Sequence, residues 1–230
     1  CIAETPLAEP PAFANHYEWS KWRAERTLVD EHGCLPWSIL RIATVIAADE
    51  QGEVRQYNAF HNTLKLLFYG LVSLIPGRRE APLYVVTEAF ALGAAMAVLG
   101  TAERHGVYHA CHRRDESLAL GELLGAAYRR FAADEDFAAR RILEPLFCDE
   151  ESFALLAAGV DGFGGQVVRQ GLASIVPFAA QLFSDKSFDN ARLAEVMAGA
   201  CRAPDPLALV AATCDYLVRT RWGTRLEHAA

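Results

Sequence analysis

Two side chains in this sequence have the types and the spacing for proton transfer. They are Tyr17 and Lys21, in the run Asn15-His-Tyr17-Glu-Trp-Ser20-Lys21-Trp-Arg-Ala-Glu25. Residues four apart on a helix project from one face. A free phenol titrates at about 10 and is a poor acid or base at neutral pH. A neighbouring ammonium favours the phenolate, so the phenol can exchange a proton with a carbonyl or alcohol oxygen. The lysine also has N–H donors for a sugar hydroxyl. As a bare spacing, Tyr-x-x-x-Lys equally describes an ordinary amphipathic helix. The elements around it must decide.

Those elements are legible in outline. Residues 1–14 are rich in Pro, Ala and Glu and read as an irregular lead-in. Asn15, with Glu18 three residues on, has the reciprocal capping pattern of a helix start. Gly33 and Pro36 predict its end near His32. Trp37–Ile46 is a nearly continuous apolar, β-branched run, which predicts one strand covered on both faces, as in a parallel sheet between helices. Arg41 within that strand requires a carboxylate partner. Residues 48–57 read as a loop. Apolar residues at helical spacing predict a helix from Asn58 to Ile75, stopped by Pro76-Gly77. Strands are expected over Leu83–Val86 and Gly106–Ala110, with an Ala-rich helix over Glu88–Glu103 between them. A helix capped by Ser117 should run to about Ala133. Beyond Asp134 only helices are expected, near 137–147, 150–158, 165–183, 190–201 and 206–221. The expected organisation is an α/β part over 1–133 and a helical extension over 134–230.

Composition narrows the function classes. Of 230 residues, 52% are hydrophobic and 22% charged, which predicts a folded chain with a sizeable core. The formal charge of −7 argues against a nucleic-acid partner. Six cysteines without a C-x-x-C pair are expected to be reduced thiols, and the expected location is the cytoplasm. The apolar stretches Ala89–Ala102 and Leu172–Phe183 are too short to span a bilayer. The first residue is Cys1, from which the chain is expected to begin inside a longer gene product.

The run Tyr-x-x-Ser-Lys-x-x-Ala-Glu, followed by a Gly-ended helix and the strand Ile39-Leu40-Arg41, resembles the extended short-chain dehydrogenase/reductases. It is most similar to the thioester reductase and fatty acyl-CoA reductase branch, with its male sterility-type NAD-binding domain. Gln51-Gly52-Glu53, Tyr57-Asn58, Pro76-Gly77, Pro82-Leu83 and Gly106-Val-Tyr108-His109 resemble that branch in order and spacing. Phe178 and Phe188-Asp189-Asn190 resemble a pattern of its helical tail. The resemblance implies the C-terminal part of a Rossmann-like parallel sheet followed by a mostly helical extension. It implies NAD or NADP as cofactor, NADPH favoured, and an acyl thioester as substrate. Tyr17 and Lys21 would be catalytic, and Tyr17, Lys21 and Ile42 would meet the cofactor. Ser20 would precede the lysine without a required direct role.

The sequence departs from that pattern at Ile42, where the family has Pro, at Ala47-Ala48 for Gly-Asp, and at Ala89 for Asp. The departures bear on the nicotinamide contact and on loop geometry, and leave Tyr17 and Lys21 untouched. No Gly-rich strand-to-helix turn for a pyrophosphate opens the chain. Gly159-Val-Asp-Gly-Phe-Gly-Gly165 follows no strand and reads as a helix connection. Only Thr5 offers a hydroxyl ahead of Tyr17, within a Pro-rich stretch, and it is not assigned the role of a catalytic hydroxyl. The isolated chain is therefore expected to be inactive.

Other signals read as structure. His109-Ala-Cys111-His112 lacks the further ligands of a metal site and is expected to be a strand end, with no metal. Arg219, Arg221 and Arg225 around Trp222 fit cations at a helix C-terminus, or the phosphates of a CoA-type substrate. Leu64, Leu67, Phe68 and Leu71 fit core packing better than an acyl pocket. Two rival functions share the motif: a nucleotide-sugar epimerase, dehydratase or hydroxysteroid-type dehydrogenase, and a non-catalytic, degenerate relative.

Overall fold

The computed structural model describes residues 1–163, 169, 173, 175, 176, 178–198 and 202–224. It has mixed α/β architecture. Helix α1 (His16–Glu31) starts where Asn15 accepts a 2.9 Å hydrogen bond from the Glu18 amide. The Glu18 carboxylate reaches back one residue further than expected, to the Ala14 amide.

The run 37–46 forms two strands rather than one. Strand β1 (Ser38–Ile42) pairs in parallel with β6 (Gly106–Ala110), and β2 (Thr44–Ala47) pairs in parallel with β5 (Val85–Thr87). The chain changes partner at Ala43, whose amide still bonds Ala110 O while the Thr44 amide bonds Tyr84 O. Nor is β1 covered on both faces: Ser38 and Ile42 are exposed and only Ile39 is buried.

Helix α2 is also shorter than expected. It spans Ala59–Phe68 and ends before Gly70, which has φ +68°. The left-handed conformation suits a glycine after a helix. Leu74–Pro76 then forms β3, paired in parallel with β8 (Leu146–Cys148). A strand therefore lies beyond Asp134, where helices alone were expected. It finds a partner in a segment that periodicity had assigned to α2.

The expected Leu83–Val86 strand is split into β4 (Pro82–Leu83) and β5. Helix α3 (Glu88–Gly100) is capped by the Thr87 hydroxyl and stops short of Glu103. Ser117 does not cap the next helix. Its hydroxyl donates to Arg114 O, β7 (Leu118–Ala119) pairs antiparallel with β4, and α4 (Leu120–Phe131) begins after it. In the tail, α5 spans Glu135–Arg140 and α6 Glu150–Phe163, running through Gly159 and Gly162 where a break was expected. Gly164, Gly165 and Leu172 lie outside the described residues. Helices α7 (Ala191–Met197) and α8 (Pro206–Arg219) follow.

One core joins the middle of the chain to its last described helix. Ile46, Leu64, Leu67, Phe68, Phe131 and Leu217 are all at most 1% exposed and belong to a single cluster. Leu64, Leu67 and Phe68 are thus core residues, as expected, and Leu71 packs against them. The 48–57 loop is fastened to α8 at Gly52, with φ +80°, where a Cβ would lie 2.3 Å from the Ala212 carbonyl carbon. Only glycine fits that close approach. A second cluster, including Val86, Phe90, Tyr108 and Met197, lies under α3 and α7. No helix among the described residues is long and apolar enough to cross a membrane.

Candidate active site

Tyr17 and Lys21 stand one turn apart on the first half of α1. The Lys21 Nζ lies 5.3 Å from the centre of the Tyr17 ring. The structure brings the pair together, and Tyr17 is 62% exposed. An ammonium at that distance lies within reach of a cation–π contact. Ser20 Oγ donates a 2.8 Å hydrogen bond to Tyr17 O, so its hydroxyl is occupied within the helix. Ile42 is on a different element, at the C-terminal end of β1, and is 47% exposed.

Beneath them lies a polar network. The Arg41 guanidinium donates to both oxygens of Glu25, at 2.9 Å from Nε and 2.6 Å from Nη2. It also reaches His109 Nε2 at 3.0 Å and Thr5 O at 3.2 Å. His109 Nδ1 lies 2.6 Å from Asp189 O and therefore carries the ring proton, leaving Nε2 to accept from Arg41. Burial, first, and the Arg41 charge hold this imidazole below its ordinary range, with the Asp189 carbonyl acting the other way. The carboxylate that Arg41 requires is thus Glu25, four residues after Lys21 in the same motif. The motif's spacing was the available signal, but the strand's approach to that helix could not be read from sequence.

Glu4, 2% exposed, is a second unanticipated feature. Its carboxylate accepts from the amides of His109 at 2.8 Å and Arg192 at 2.6 Å, and Ile2 bridges to Phe188. The lead-in is therefore tied to the tail rather than loose.

The remaining candidates are structural. His112 Nε2 bonds Pro204 O at 2.7 Å, and burial pushes the Cys111 thiol up to about 12, too high to offer a thiolate. Among the described residues no group of three His, Cys, Asp or Glu could hold a metal. Arg221 pairs with Asp134 at 3.2 Å and Asp136 at 3.3 Å, Arg219 lies over Tyr216, and Trp222 is buried. Arg225 lies outside the described residues.

A nicotinamide cofactor fits this arrangement at one end. The exposed Tyr17–Lys21 face presents a phenol and an ammonium suited to a ribose. Among the described residues no strand leads through a Gly-rich turn into a helix, which the pyrophosphate would need: β5 passes directly into α3 at Thr87–Glu88.

Residues 2–90 match the NAD-binding family described as Male sterility protein. The match covers Tyr17, Lys21 and β1, so the resemblance read from those residues is met over the same segment. Two solved structures share the fold. The terminal R domain from the myxalamid PKS-NRPS biosynthetic pathway is 17% identical, with a TM-score of 0.62 over 96% of this chain and 54% of that one. A thiolation-reductase di-domain from an archaeal non-ribosomal peptide synthetase is 18% identical, with a TM-score of 0.62 over 96% of this chain and 44% of that one. The chain thus has part of a Rossmann-like α/β fold and spans about half the length of the structures it matches. A comparison with curated proteins gives no match.

Proposed function

We propose that this chain supplies the proton-transfer part of an NAD(P)H-dependent reductase acting on an acyl thioester, CoA- or carrier-bound, to give an aldehyde or alcohol. The observation that carries the reading is the exposed Tyr17 ring with the Lys21 ammonium 5.3 Å from its centre. The male sterility-type match and the reductase neighbours support the reaction class.

A bound nicotinamide supplies hydride to a carbonyl carbon. Tyr17 Oη would donate a proton to the carbonyl oxygen as hydride arrives; collapse of the hemithioacetal would then release the thiol and leave the aldehyde, and a second hydride and proton would carry the aldehyde to the alcohol. Lys21 Nζ would stabilise the phenolate that remains and would donate hydrogen bonds to ribose hydroxyls, and Ile42 would be an apolar contact for the nicotinamide. NADPH is the preferred donor in this reading. In this reading the pyrophosphate would be held by residues other than the described ones.

The test is NADPH oxidation by the full-length protein with an acyl-CoA and, separately, with a nucleotide sugar. Turnover with the acyl-CoA that Tyr17→Phe lowers by about 10²-fold or more, in a protein that still folds, supports the proposal. Conversion of the nucleotide sugar without net NADPH oxidation, read from the products, transfers the site to the epimerase or dehydratase class, whose reactions return the cofactor unchanged. Unchanged turnover in Tyr17→Phe removes Tyr17 from the chemistry. The 230 residues alone are expected to show no saturable NADPH binding by titration calorimetry, and tight binding would contradict the division of labour.

A further inference from the structure

We propose that Glu25 and Arg41 form a clamp that positions Tyr17 and Lys21, so that Arg41 on β1 acts on the reaction through α1. The inference rests on the reading of Tyr17 as proton donor, and it extends the site to two positioning residues.

Helix α1 has no buried residue. The Phe13 and Trp22 rings meet at 5.6 Å, but Phe13 belongs to the lead-in, so that contact does not tie the helix to the sheet. Three polar ties position the helix. Trp22 Nε1 donates to Leu7 O at 3.2 Å, Gln181 Nε2 donates to Glu18 Oε1 at 2.8 Å, and Glu25 takes both hydrogen bonds from Arg41. The first leads to the lead-in and the second to the tail. Of these ties, only the Arg41 pair joins α1 to a strand.

The position of Glu25 makes that tie relevant to the site. Tyr17, Lys21 and Glu25 follow one another at four-residue steps, and each step advances about 40° around the helix. Tyr17 and Lys21 are exposed, whereas the Glu25 side chain is 18% exposed. The row that begins with the phenol in solvent thus ends on the body of the protein. A guanidinium holding both oxygens of a carboxylate fixes orientation as well as distance. Arg41 is itself fixed from two further sides, by His109 Nε2 and Thr5 O, and His109 by Asp189 O. Rotation of α1 would break both Glu25–Arg41 bonds, because those further partners hold Arg41 in place. Displacement of the phenol by about 1 Å is enough to cost up to about 10²-fold in rate.

The experiment compares Glu25→Gln, Arg41→Gln, Arg41→Lys and the Glu25→Gln/Arg41→Gln double variant in the full-length protein. It measures kcat and KM for NADPH oxidation with an acyl-CoA, together with amide hydrogen exchange over residues 16–31. The clamp predicts a kcat about tenfold or more lower in both Gln variants, with KM for the acyl-CoA within about twofold. The double variant should be no worse than the worse single, and Arg41→Lys should recover part of the loss. Exchange over α1 should quicken while that over α4 stays unchanged. A folded Arg41→Gln protein with unchanged kcat, additive losses in the double variant, or unchanged α1 exchange would overturn the clamp. If the unaltered protein does not turn over acyl-CoA, the acyl-CoA reading fails and exchange alone judges the clamp. Selective quickening over α1 then supports it, and no change removes it.

Discussion

The two ends of this molecule are held by different physics. Around α2, α4 and α8, Phe68, Phe131, Leu209 and Leu217 are at most 1% exposed, and Phe68, Phe131, Phe137 and Trp222 pack ring against ring. At the other end α1 has no buried residue, and its ties to β1 and to the tail, through Glu25 and Glu18, are ionic or polar. The candidate chemistry sits at the second end. Apolar burial gives stability without direction, whereas hydrogen bonds and bidentate ion pairs specify orientation at small net energy. A proton donor needs orientation, and it needs a surface left open to substrate and cofactor. The aromatic core supplies the scaffold from which that surface projects.

If this division is right, truncation in the core has the larger stability effect. Phe131→Ala removes a ring that meets Phe68 at 5.2 Å and Phe137 at 5.5 Å. It should cost about 3–5 kcal/mol, read as a fall in denaturant midpoint with little change in slope. A loss below about 1 kcal/mol would mean that the core is not the scaffold. Gly52→Ala sharpens the same point at the junction of loop and α8. The left-handed φ and the 2.3 Å approach to Ala212 together should cost about 1–3 kcal/mol. Neutral behaviour of this variant in a thermal melt would show that the loop is not pressed against the helix.

Acid should weaken both ends. His61, 1% exposed, uses both ring nitrogens: Nδ1 accepts from the Asn58 amide at 3.0 Å, and Nε2 donates to Ile46 O at 2.8 Å. Burial lowers its basicity, with the Ile46 carbonyl acting the other way, and His109 is lowered likewise. A histidine whose folded pKa lies below its unfolded value binds fewer protons when folded. Its contribution is therefore fully present above 6.5 and is lost as pH falls below that value through the lowered folded pKa. Melting temperature should decline from that point downward, and His61→Gln should flatten part of the decline. A melting temperature constant through this range would contradict the neutral, doubly bonded rings.

The legible parts of the fold were those marked by local chemistry. Asn15 and Gly33 bracket α1 because caps act within a few residues, and Gly106–Ala110 is a strand as expected. Partner choice was not legible. Nothing within Trp37–Ile46 marks Ala43 as a boundary; it is the competition between β6 and β5 for neighbouring segments that divides the run. Leu71, Leu74 and Ile75 continue the apolar spacing of α2, yet Gly70 ends the helix and β8 claims the rest. At the site, Tyr17 and Lys21 were readable because both lie on one helix at one spacing. Glu25 and Arg41 each stood in view, one in the motif and one as a buried strand cation lacking a carboxylate. Joining them required the packing of α1 on β1, which is a tertiary fact.

The smallest expected effect is also the one that divides the two regions most sharply. Trp19 is the largest residue type in the sequence, and it is 49% exposed on α1. In the core, truncating a tryptophan removes a large buried area and several kcal/mol with it, as at Trp222, which is 6% exposed. On α1 the same chemical change should be nearly silent, because about half of the side chain already meets water. Trp19→Ser should shift stability by no more than about 0.5 kcal/mol. A loss of about 2 kcal/mol or more in the same denaturation experiment would mean that α1 is held by apolar contact after all. The polar ties through Glu25, Trp22 and Glu18 would then be incidental to its position, and the contrast between a packed scaffold and an oriented, open site would no longer describe the molecule.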